Sequence, residues 1–313
     1  MSLDPQDPHD PIDPPDPAHR RSRRTVLAGV GGLVALGAVG AGLVEADVLP
    51  GRARVHRLLG DRSPVVALPS VETGPRLSGE FASKARQGRS TSWVAAWPAG
   101  HEPGDKLPLL VTLHGFGDDH RAAFDSLHLD LFAGQAIADG TPPFVIAAVD
   151  AGDGYFHERT AYGDSGAMVG NELVPELVRH GVRARPYGLL GWSMGGYGAL
   201  LLAENLGPDV VSTVVAESPA LWTSVRRRNP RAFDSAADYR ANDVWAGRDR
   251  LAQTAVRIDC GTADGFAPAV RRFTGGMRPE PAGGFREGGH DPAFWQSSAP
   301  AQLRWAGTHL SAS

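Results

Sequence analysis

One short stretch of the chain, residues 188–197, has the clearest chemical potential. It reads Gly-Leu-Leu-Gly-Trp-Ser-Met-Gly-Gly-Tyr, and its Gly191, Ser193 and Gly195 form a G-x-S-x-G pattern. In this pattern a serine sits in a sharp strand-to-helix turn that lifts its hydroxyl above a sheet. Apolar residues before the turn favour a buried strand, and helix-forming residues follow it. We therefore predict that Ser193 is a nucleophile in a strand-turn-helix unit.

A serine hydroxyl is a weak nucleophile at neutral pH, so it needs a base within hydrogen-bond reach and a third group that orients the base. His290, in a Gly-Gly-His-Asp segment, is the candidate base. Asp264, in Gly-Thr-Ala-Asp-Gly just past a predicted strand at 256–260, is the candidate acid. Glu217, which follows the preceding predicted strand, is an alternative acid.

Acyl transfer also needs hydrogen-bond donors for the negative charge that develops on the carbonyl oxygen. The backbone N–H of Met194, directly after Ser193, is one candidate donor. The backbone N–H of Phe116 is the other, because it follows an apolar strand and lies between Gly115 and Gly117. We therefore interpret this second segment as an oxyanion loop.

Two groups of side chains have competing interpretations. The polar cluster His114, Asp118, Asp119 and His120 has metal-ligand residue types, but it coincides with the oxyanion loop, so we predict neither a metal nor a cofactor. A set of aromatic residues is expected either to line an acyl or sugar pocket or to belong to the core. These are Tyr155, Phe156, His157, Trp222, Phe294 and Trp295.

Apolar runs of strand length alternate with helical segments along the rest of the chain. Beyond the strand before Ser193, the predicted strands are 107–113, 143–149, 210–216 and 256–260, preceded by a hairpin of 76–85 and 90–97; the predicted helices are 121–138, 166–180 and 299–308. This alternation predicts an α/β fold with a mostly parallel sheet and helices on both faces. The active groups are then expected at the carboxyl ends of the strands.

The N-terminus predicts export. Residues 1–19 repeat Asp-Pro pairs and are expected to be disordered, and four arginines then precede an uncharged run at 25–44. The string Ser-Arg-Arg-Thr-Val-Leu at 22–27 resembles a twin-arginine signal, which implies the twin-arginine export machinery as a partner. Cleavage after Ala46 and an uncleaved membrane anchor through 25–44 are the two alternatives. We predict three regions: a leader at 1–46, a linker at 47–75 and a catalytic domain at 76–310.

Charge and cysteine content limit the possible partners and cross-links of the chain. The 313 residues include 31 basic and 35 acidic side chains and have a formal net charge of −4, which disfavours nucleic-acid binding. The single cysteine, Cys260, excludes an intrachain disulfide.

Three blocks, at 113–117, 191–200 and 289–295, together resemble a known family. They are similar to the esterase D, or "putative esterase", branch of the α/β-hydrolases, which includes S-formylglutathione hydrolases, feruloyl and acetyl-xylan esterases and secreted mycolyltransferases. The resemblance covers about residues 74–310 and implies the α/β-hydrolase fold. The site residues that it implies are Ser193 as nucleophile, His290 as base, Asp264 as acid, and Phe116 and Met194 as oxyanion donors.

The chain departs from the mycolyltransferase pattern. Those enzymes have an Asp and an Arg around the oxyanion block and a Glu as the acid, whereas this chain has His114, Gly117 and Asp264. We therefore expect an exported serine carboxylesterase that acts on a small-molecule, lipid or sugar ester. Acyl transfer to a cell-envelope alcohol and a non-catalytic envelope protein with this fold are the two alternatives.

Overall fold

The computed structural model describes residues 63–183 and 185–312, and a central eight-stranded sheet organises them. Its strands are β1 (Arg76–Ser83), β2 (Arg89–Ala96), β3 (Leu109–Leu113), β4 (Val145–Val149), β7 (Tyr187–Trp192), β8 (Val211–Glu217), β9 (Ala255–Gly261) and β10 (Ala282–Arg286). Their order across the sheet is β1-β2-β4-β3-β7-β8-β9-β10. Strand β2 runs antiparallel to both of its neighbours, and the other pairs are parallel. Two short strands, β5 (Glu158–Arg159) and β6 (Gly163–Asp164), form a separate ribbon.

Helices cover both faces of the sheet. The described α-helices are α1 (Leu129–Ala138), α2 (Ser165–Met168), α3 (Val174–Arg179), α4 (Met194–Leu206), α5 (Ala236–Ala241), α6 (Val244–Gly247), α7 (Ala267–Gly275) and α8 (Pro292–Ser311). Helices α1 and α8 pack on one face of the sheet, and α3, α4 and α7 pack on the other. Strand β7 is fully buried, and its Leu189 and Leu190 face opposite sides. These observations confirm the predicted α/β architecture.

The predicted strands are present with ends shifted by one or two residues, but two predicted helices are interrupted. The segment predicted as one helix at 121–138 consists of a π-helical turn, Ala122–Ser126, and then α1. Between them His128 has a left-handed backbone with φ 51°, which an uninterrupted helix does not allow. The prediction at 166–180 is likewise split by a π-helical turn, Val169–Leu173.

Three further differences lie near the C-terminus. Helix α8 begins at Pro292 and not at Ala299, because the Asp291 carboxylate accepts a hydrogen bond from the Phe294 N–H and caps the helix. Helix α7 and strand β10 were not predicted. Strand β10 pairs parallel with β9 and therefore adds one more strand end beside Asp264.

The strand order places a topological switch at the centre of the sheet. Strand β3 lies between β4 and β7 in the sheet. After β3, the chain forms β4 on one side of it and then crosses over to form β7 on the other side. Loops leave the carboxyl ends of such strands in opposite directions and open a crevice between them. The segments after β3, β7, β8, β9 and β10 all lie at this edge.

Two glycines allow α4 to approach this edge closely. A Cβ atom on Gly195 would overlap the Leu113 carbonyl at the end of β3, and one on Gly191 would overlap the Gly195 carbonyl. Neither obstacle is the flexible end of a side chain, since both are backbone atoms. The G-x-S-x-G spacing is therefore a steric requirement of this crossing.

The leader predicted at 1–46 and residues 47–62 of the predicted linker lie outside the described residues. Residues 63–75 form neither helix nor strand. In the described part of the chain, no helix has both the length and the apolar character needed to cross a membrane.

Candidate active site

Ser193 occupies the sharp turn between β7 and α4. Its backbone has φ 55° and ψ −114°, a conformation that side-chain-bearing residues rarely adopt. Its N–H donates to the Glu217 carbonyl at 2.9 Å, and its own carbonyl accepts from the N–H groups of Tyr197 at 3.1 Å and Ala220 at 3.0 Å. Bonds to β8, α4 and the segment after β8 therefore hold the serine in its strained conformation.

The structure brings Ser193, His290 and Asp264 together. The distance from His290 Nε2 to Ser193 Oγ is 2.8 Å, and that from His290 Nδ1 to Asp264 Oδ2 is also 2.8 Å. Because a carboxylate accepts only, Nδ1–H donates to Asp264, which leaves Nε2 free to accept the serine proton. The three side chains thus form a continuous hydrogen-bonded chain.

The surroundings of these three hydrogen-bonded side chains differ between Asp264 and His290. The Asp264 side chain is fully buried, and its second oxygen accepts the Phe266 N–H at 2.7 Å. The His290 side chain is 24% exposed and lies between two aromatic rings, with centroid distances of 5.4 Å to Phe266 and 5.2 Å to Trp295. The imidazole is therefore oriented by packing on both sides as well as by the carboxylate.

Glu217, the alternative acid, lies elsewhere. Its buried carboxyl faces Ser298 and Gln302 of α8 and the carboxylate of Asp259. Burial raises its pKa well above the usual value, and the negative charge of Asp259 adds to that effect. The structure therefore places Asp264, and not Glu217, against the imidazole.

The two candidate oxyanion donors belong to different elements of the fold. Met194 is the first residue of α4, and Phe116 follows β3. Within residues 63–183 and 185–312, neither backbone N–H donates a hydrogen bond to another protein group. Both are thus available to a substrate oxygen.

His114 fixes the peptide that carries the Phe116 N–H. Its Nδ1 donates to the Gly115 carbonyl at 2.8 Å, and its Nε2 accepts the Ala151 N–H at 3.1 Å. Burial lowers the pKa of His114, which favours the neutral ring that this pair of bonds requires. A further bond, from the Gly117 N–H to Asp153 Oδ1 at 2.7 Å, fixes the next peptide.

The neighbouring aspartates bind protein groups. Trp192 Nε1 donates to Asp118 Oδ2 at 3.0 Å, and Arg121 pairs with Asp119. In the sequence these residues stood beside His114 as a cluster of metal-ligand types. The Asp118 side chain therefore faces β7, and the Asp119 side chain is bound by Arg121 from the same loop.

Most of the chain matches a known protein family. Residues 85–305 match the protein family described as "Putative esterase". The chain belongs to this esterase family. No curated protein matches the chain.

Solved structures similar to this esterase share its fold. A ferulic acid esterase superposes with a TM-score of 0.66 at 20% identity, covering 77% of this chain and 100% of the other. An S-formylglutathione hydrolase from Agrobacterium tumefaciens gives 0.62 at 16% identity, with coverage of 79% and 99%. A substrate-bound fluorophosphonate-binding serine hydrolase F from Staphylococcus aureus gives 0.61 at 16%, with coverage of 75% and 99%. The esterase therefore has the α/β-hydrolase fold.

Aromatic rings surround the mouth of the candidate site. The ring centroid of Tyr155 lies 6.2 Å from that of Phe116 and 5.6 Å from that of Trp222. The ring centroids of Trp222 and Phe266 are 5.9 Å apart. Of the aromatic residues singled out in the sequence, Tyr155, Trp222 and Trp295 are thus near the site. Phe156, His157 and Phe294 are buried behind it.

Phe266 was not singled out from the sequence, although its position two residues after Asp264 was a usable signal. A cavity of about 490 Å³ lies behind α4 and is lined by residues such as Asn171, Asn205 and Asp238. Ser193 is not among its lining residues. We locate the reaction by the hydrogen-bonded side chains, because a nucleophile and its base must be in contact.

The two acid candidates give opposite expectations. We expect Asp264→Asn to lower kcat by about 10,000-fold, because an amide favours the wrong imidazole tautomer. Glu217→Gln is expected to retain activity close to wild type, because the amide replaces a carboxyl that faces α8 and whose neutral form is favoured by burial. Steady-state hydrolysis of a p-nitrophenyl ester measures both variants, and the reverse ranking would assign the acid to Glu217.

Thermal unfolding at several pH values provides the control for the Glu217 variant. A raised pKa in the folded state means that the unfolded state ionises first as the pH rises, so the wild-type free energy of unfolding falls above the ordinary Glu pKa. Glu217→Gln lacks this titration, and its stability is expected to fall less over the same pH range.

Proposed function

We propose that this protein is an exported serine carboxylesterase that works through an acyl-enzyme on Ser193. The observation that carries the proposal is the hydrogen-bonded chain from Ser193 Oγ through the His290 ring to Asp264, with 2.8 Å at each contact. Membership of the esterase family supports the same reaction class.

In the first half-reaction His290 Nε2 takes the proton of Ser193 as Oγ attacks the acyl carbon. The buried carboxylate of Asp264 stabilises the imidazolium that forms. The negative charge on the former carbonyl oxygen is stabilised by the N–H groups of Met194 and Phe116, and removal of one such donor typically costs about 100-fold to 1,000-fold in rate. Collapse of the intermediate breaks the ester bond, and the imidazolium donates its proton to the leaving alcohol.

In the second half-reaction a water molecule replaces the alcohol. His290 accepts a proton from this water as its oxygen attacks the acyl carbon, and the proton returns to Ser193 Oγ when the acyl group leaves as a carboxylic acid. Every group involved belongs to the protein, the ester or water. The proposed reaction therefore uses no cofactor.

The aromatic mouth supports esters with an apolar or aromatic group next to the scissile bond. Phe116, Tyr155, Trp222 and Phe266 offer ring surfaces around the candidate site. One of the similar structures is a ferulic acid esterase, whose name indicates an aromatic acyl group. A panel of p-nitrophenyl esters with aliphatic and aromatic acyl groups measures this preference.

The alternatives have less support. Neither the matching family nor the similar structures reported above are described as acyltransferases, so they give no support for transfer to a cell-envelope alcohol. A non-catalytic binding protein would have no need of a triad in contact at 2.8 Å.

The acyl-enzyme is tested directly with a fluorophosphonate probe. We expect the wild type to be labelled covalently and Ser193→Ala to be unlabelled, with esterase activity reduced roughly a millionfold. Ser218→Ala is a matched control, because Ser218 follows the neighbouring strand β8 and also has a positive φ, 45°, but makes no hydrogen bond to His290 in the described part of the chain. A folded wild type that resists the probe, or equal labelling of Ser193→Ala, would refute the proposal.

Export through the twin-arginine pathway is supported by the Arg-Arg pair at 23–24 and the uncharged run that follows it. We expect a full-length variant with Arg23→Lys and Arg24→Lys to remain in the cytoplasm of a bacterium that has this pathway, as measured by fractionation and immunoblotting. A variant with Arg20→Lys and Arg21→Lys is the matched control and is expected to be exported. Equal export of both variants would contradict this route.

A further inference from the structure

Arg231 reaches over the oxyanion loop from the long insertion that follows β8. Its guanidinium carbon lies 5.7 Å from the centroid of the Phe116 ring, and Phe116 is 40% exposed at the mouth of the site. The guanidinium itself makes no hydrogen bond or ion pair with any residue in the described part of the chain. A positive charge therefore lies over the side chain of the residue whose N–H is proposed to bind the substrate oxygen.

The backbone of Arg231 is held firmly although its side-chain tip is free. Buried Arg159 donates to the Arg231 carbonyl at 2.9 Å and is itself paired with Asp234. The Arg231 N–H donates to Asn229 Oδ1 at 2.9 Å. These bonds fix the base of the side chain, so the position of the guanidinium does not depend on a loose loop.

The carboxylates around the oxyanion loop are already occupied by donors. Asp118 accepts from Trp192, Asp119 pairs with Arg121, and Asp153 accepts from the Gly117 N–H. None of the three lies within 4.0 Å of the Arg231 guanidinium. The internal acids therefore do not neutralise it by direct contact.

Backbone strain in the same region points to a functional role. Tyr155 and Phe156 are consecutive non-glycine residues with φ 56° and 58°, and such conformations concentrate at functional sites. They place the Tyr155 ring between Phe116 and Trp222. Burial and the charge of Asp153 raise the pKa of Tyr155 to about 12, while the charges of Arg159 and Arg231 oppose this rise. The charge of Arg231 therefore acts on Tyr155, while its guanidinium lies over the Phe116 ring.

We propose that Arg231 recognises a carboxylate or another anionic group of the ester substrate, bound beside the Phe116 ring. A guanidinium presents paired N–H donors that match a carboxylate, and the ring face below it holds its orientation. This proposal rests on the proposed esterase function and adds the charge of the substrate to it.

The test compares matched neutral and anionic esters in the full-length protein. The acyl-side pair is mono-p-nitrophenyl adipate and its methyl ester; the alcohol-side pair is nitrophenyl butyrate with and without a ring carboxylate. We expect Arg231→Gln to lower kcat/KM for an anionic ester by between about 10-fold and 100-fold, the size of a lost charge-assisted hydrogen bond. The neutral partner is expected to change by less than about twofold.

Arg304→Gln is the control for net charge, because Arg304 is an exposed arginine on α8. It is expected to leave both pairs unchanged. The wild-type preference for the anion is expected to weaken at high salt, since the screening length falls to about 3 Å at 1 M. An equal loss on neutral and anionic esters in Arg231→Gln, or no loss on either anionic ester, would overturn the proposal. The esterase proposal is refuted by a different result, namely a wild type that does not hydrolyse the neutral esters.

A second observation concerns Ser63 and the loop that carries His290. Ser63 is the first described residue, and its hydroxyl bridges two residues that flank His290. Ser63 Oγ accepts the Gly289 N–H at 2.9 Å and donates to Asp291 Oδ2 at 2.7 Å. A residue 226 positions earlier in the chain thus fastens the loop that carries the candidate base.

The segment after Ser63 lies on the sheet face covered by α1 and α8. Val71 lies against Gly134 of α1, and Val66 packs against the core cluster that contains Phe294 and Trp295. These contacts bring residues 63–75 along the domain surface to the His290 loop. The segment predicted as a linker is therefore, over these residues, part of the packed domain.

The rest of the loop is fastened on its other sides. Asp291 uses its second oxygen to cap α8 through the Phe294 N–H at 3.0 Å. The Gly288 carbonyl accepts the Ala263 N–H at 2.9 Å, next to Asp264. Ser63 supplies the remaining link on the side facing residues 63–75, between the N–H before His290 and the carboxylate after it.

We infer that Ser63 is a positioning residue that keeps His290 in line with Ser193. The inference rests on the proposed function, because it assigns His290 the role of base. A mutation far from the reacting atoms can displace a catalytic group by about 1 Å, and such a displacement can reduce the rate by about 100-fold.

The test uses Ser63→Ala in the full-length protein. We expect kcat to fall about 10-fold with KM little changed, and fluorophosphonate labelling to slow in parallel. Ser63→Thr keeps the hydroxyl and is expected to restore kcat. Ser90→Ala, which removes a similar hydrogen bond in the exposed hairpin, is the matched control and is expected to match wild type.

Two results would overturn the inference. One is an unchanged kcat in Ser63→Ala. The other is a kcat loss that Ser63→Thr does not restore, since the hydroxyl would then not be the group responsible. If Ser63→Ala has a lower melting temperature and an unchanged kcat, the inference is also overturned, because Ser63 then has a structural role only. The wild type remains labelled at Ser193 in either case, so the proposed function is tested separately.

Discussion

The geometry of the site depends on how closely helix α4 approaches the end of strand β3. A side chain at Gly195 would overlap the Leu113 carbonyl, so the approach exists only with glycine there. The turn before the helix is then so tight that Ser193 adopts φ 55°. Such strain costs about 1–3 kcal/mol and persists only where the surroundings hold it. Three backbone bonds from Ser193 to other segments provide that support, and the hydroxyl is thereby held at the edge of the sheet.

The partners of the serine come together because β9 and β10 are adjacent parallel strands. Their carboxyl ends meet at one edge, so the segments after them begin side by side. Backbone bonds then tie the two segments together, from Thr262 N–H to the Arg286 carbonyl and from Ala263 N–H to the Gly288 carbonyl. Asp264 and His290 follow directly. The contact between the carboxylate and the imidazole is therefore a consequence of strand pairing and not of proximity in the sequence.

The sequence was most informative where local chemistry and local structure coincide. The G-x-S-x-G pattern predicted a turn whose glycines are required by backbone contacts, and the buried strands appeared as apolar runs. Strand β10 was missed because it lies at the edge of the sheet and contains Gly283 and Gly284, so it lacks such a run. Helix α7 was missed although Ala267, Val270 and Phe273 recur at helical spacing.

Contacts between distant segments were beyond local patterns. Nothing beside Arg231 in the sequence indicates that it covers the Phe116 ring, and nothing near Ser63 indicates the His290 loop. The choice between Asp264 and Glu217 has the same origin, because Glu217 ends β8, Asp264 follows the adjacent strand β9, and the packing of α8 against Glu217 cannot be read from either segment. Glu217 is enclosed by that helix, and burial raises its pKa, which favours the neutral form. The carboxyl of Glu217 faces Ser298 and Gln302 of α8, whereas its backbone carbonyl binds the Ser193 N–H. The side chain of Glu217 therefore packs against α8, and only its backbone supports the turn that holds Ser193.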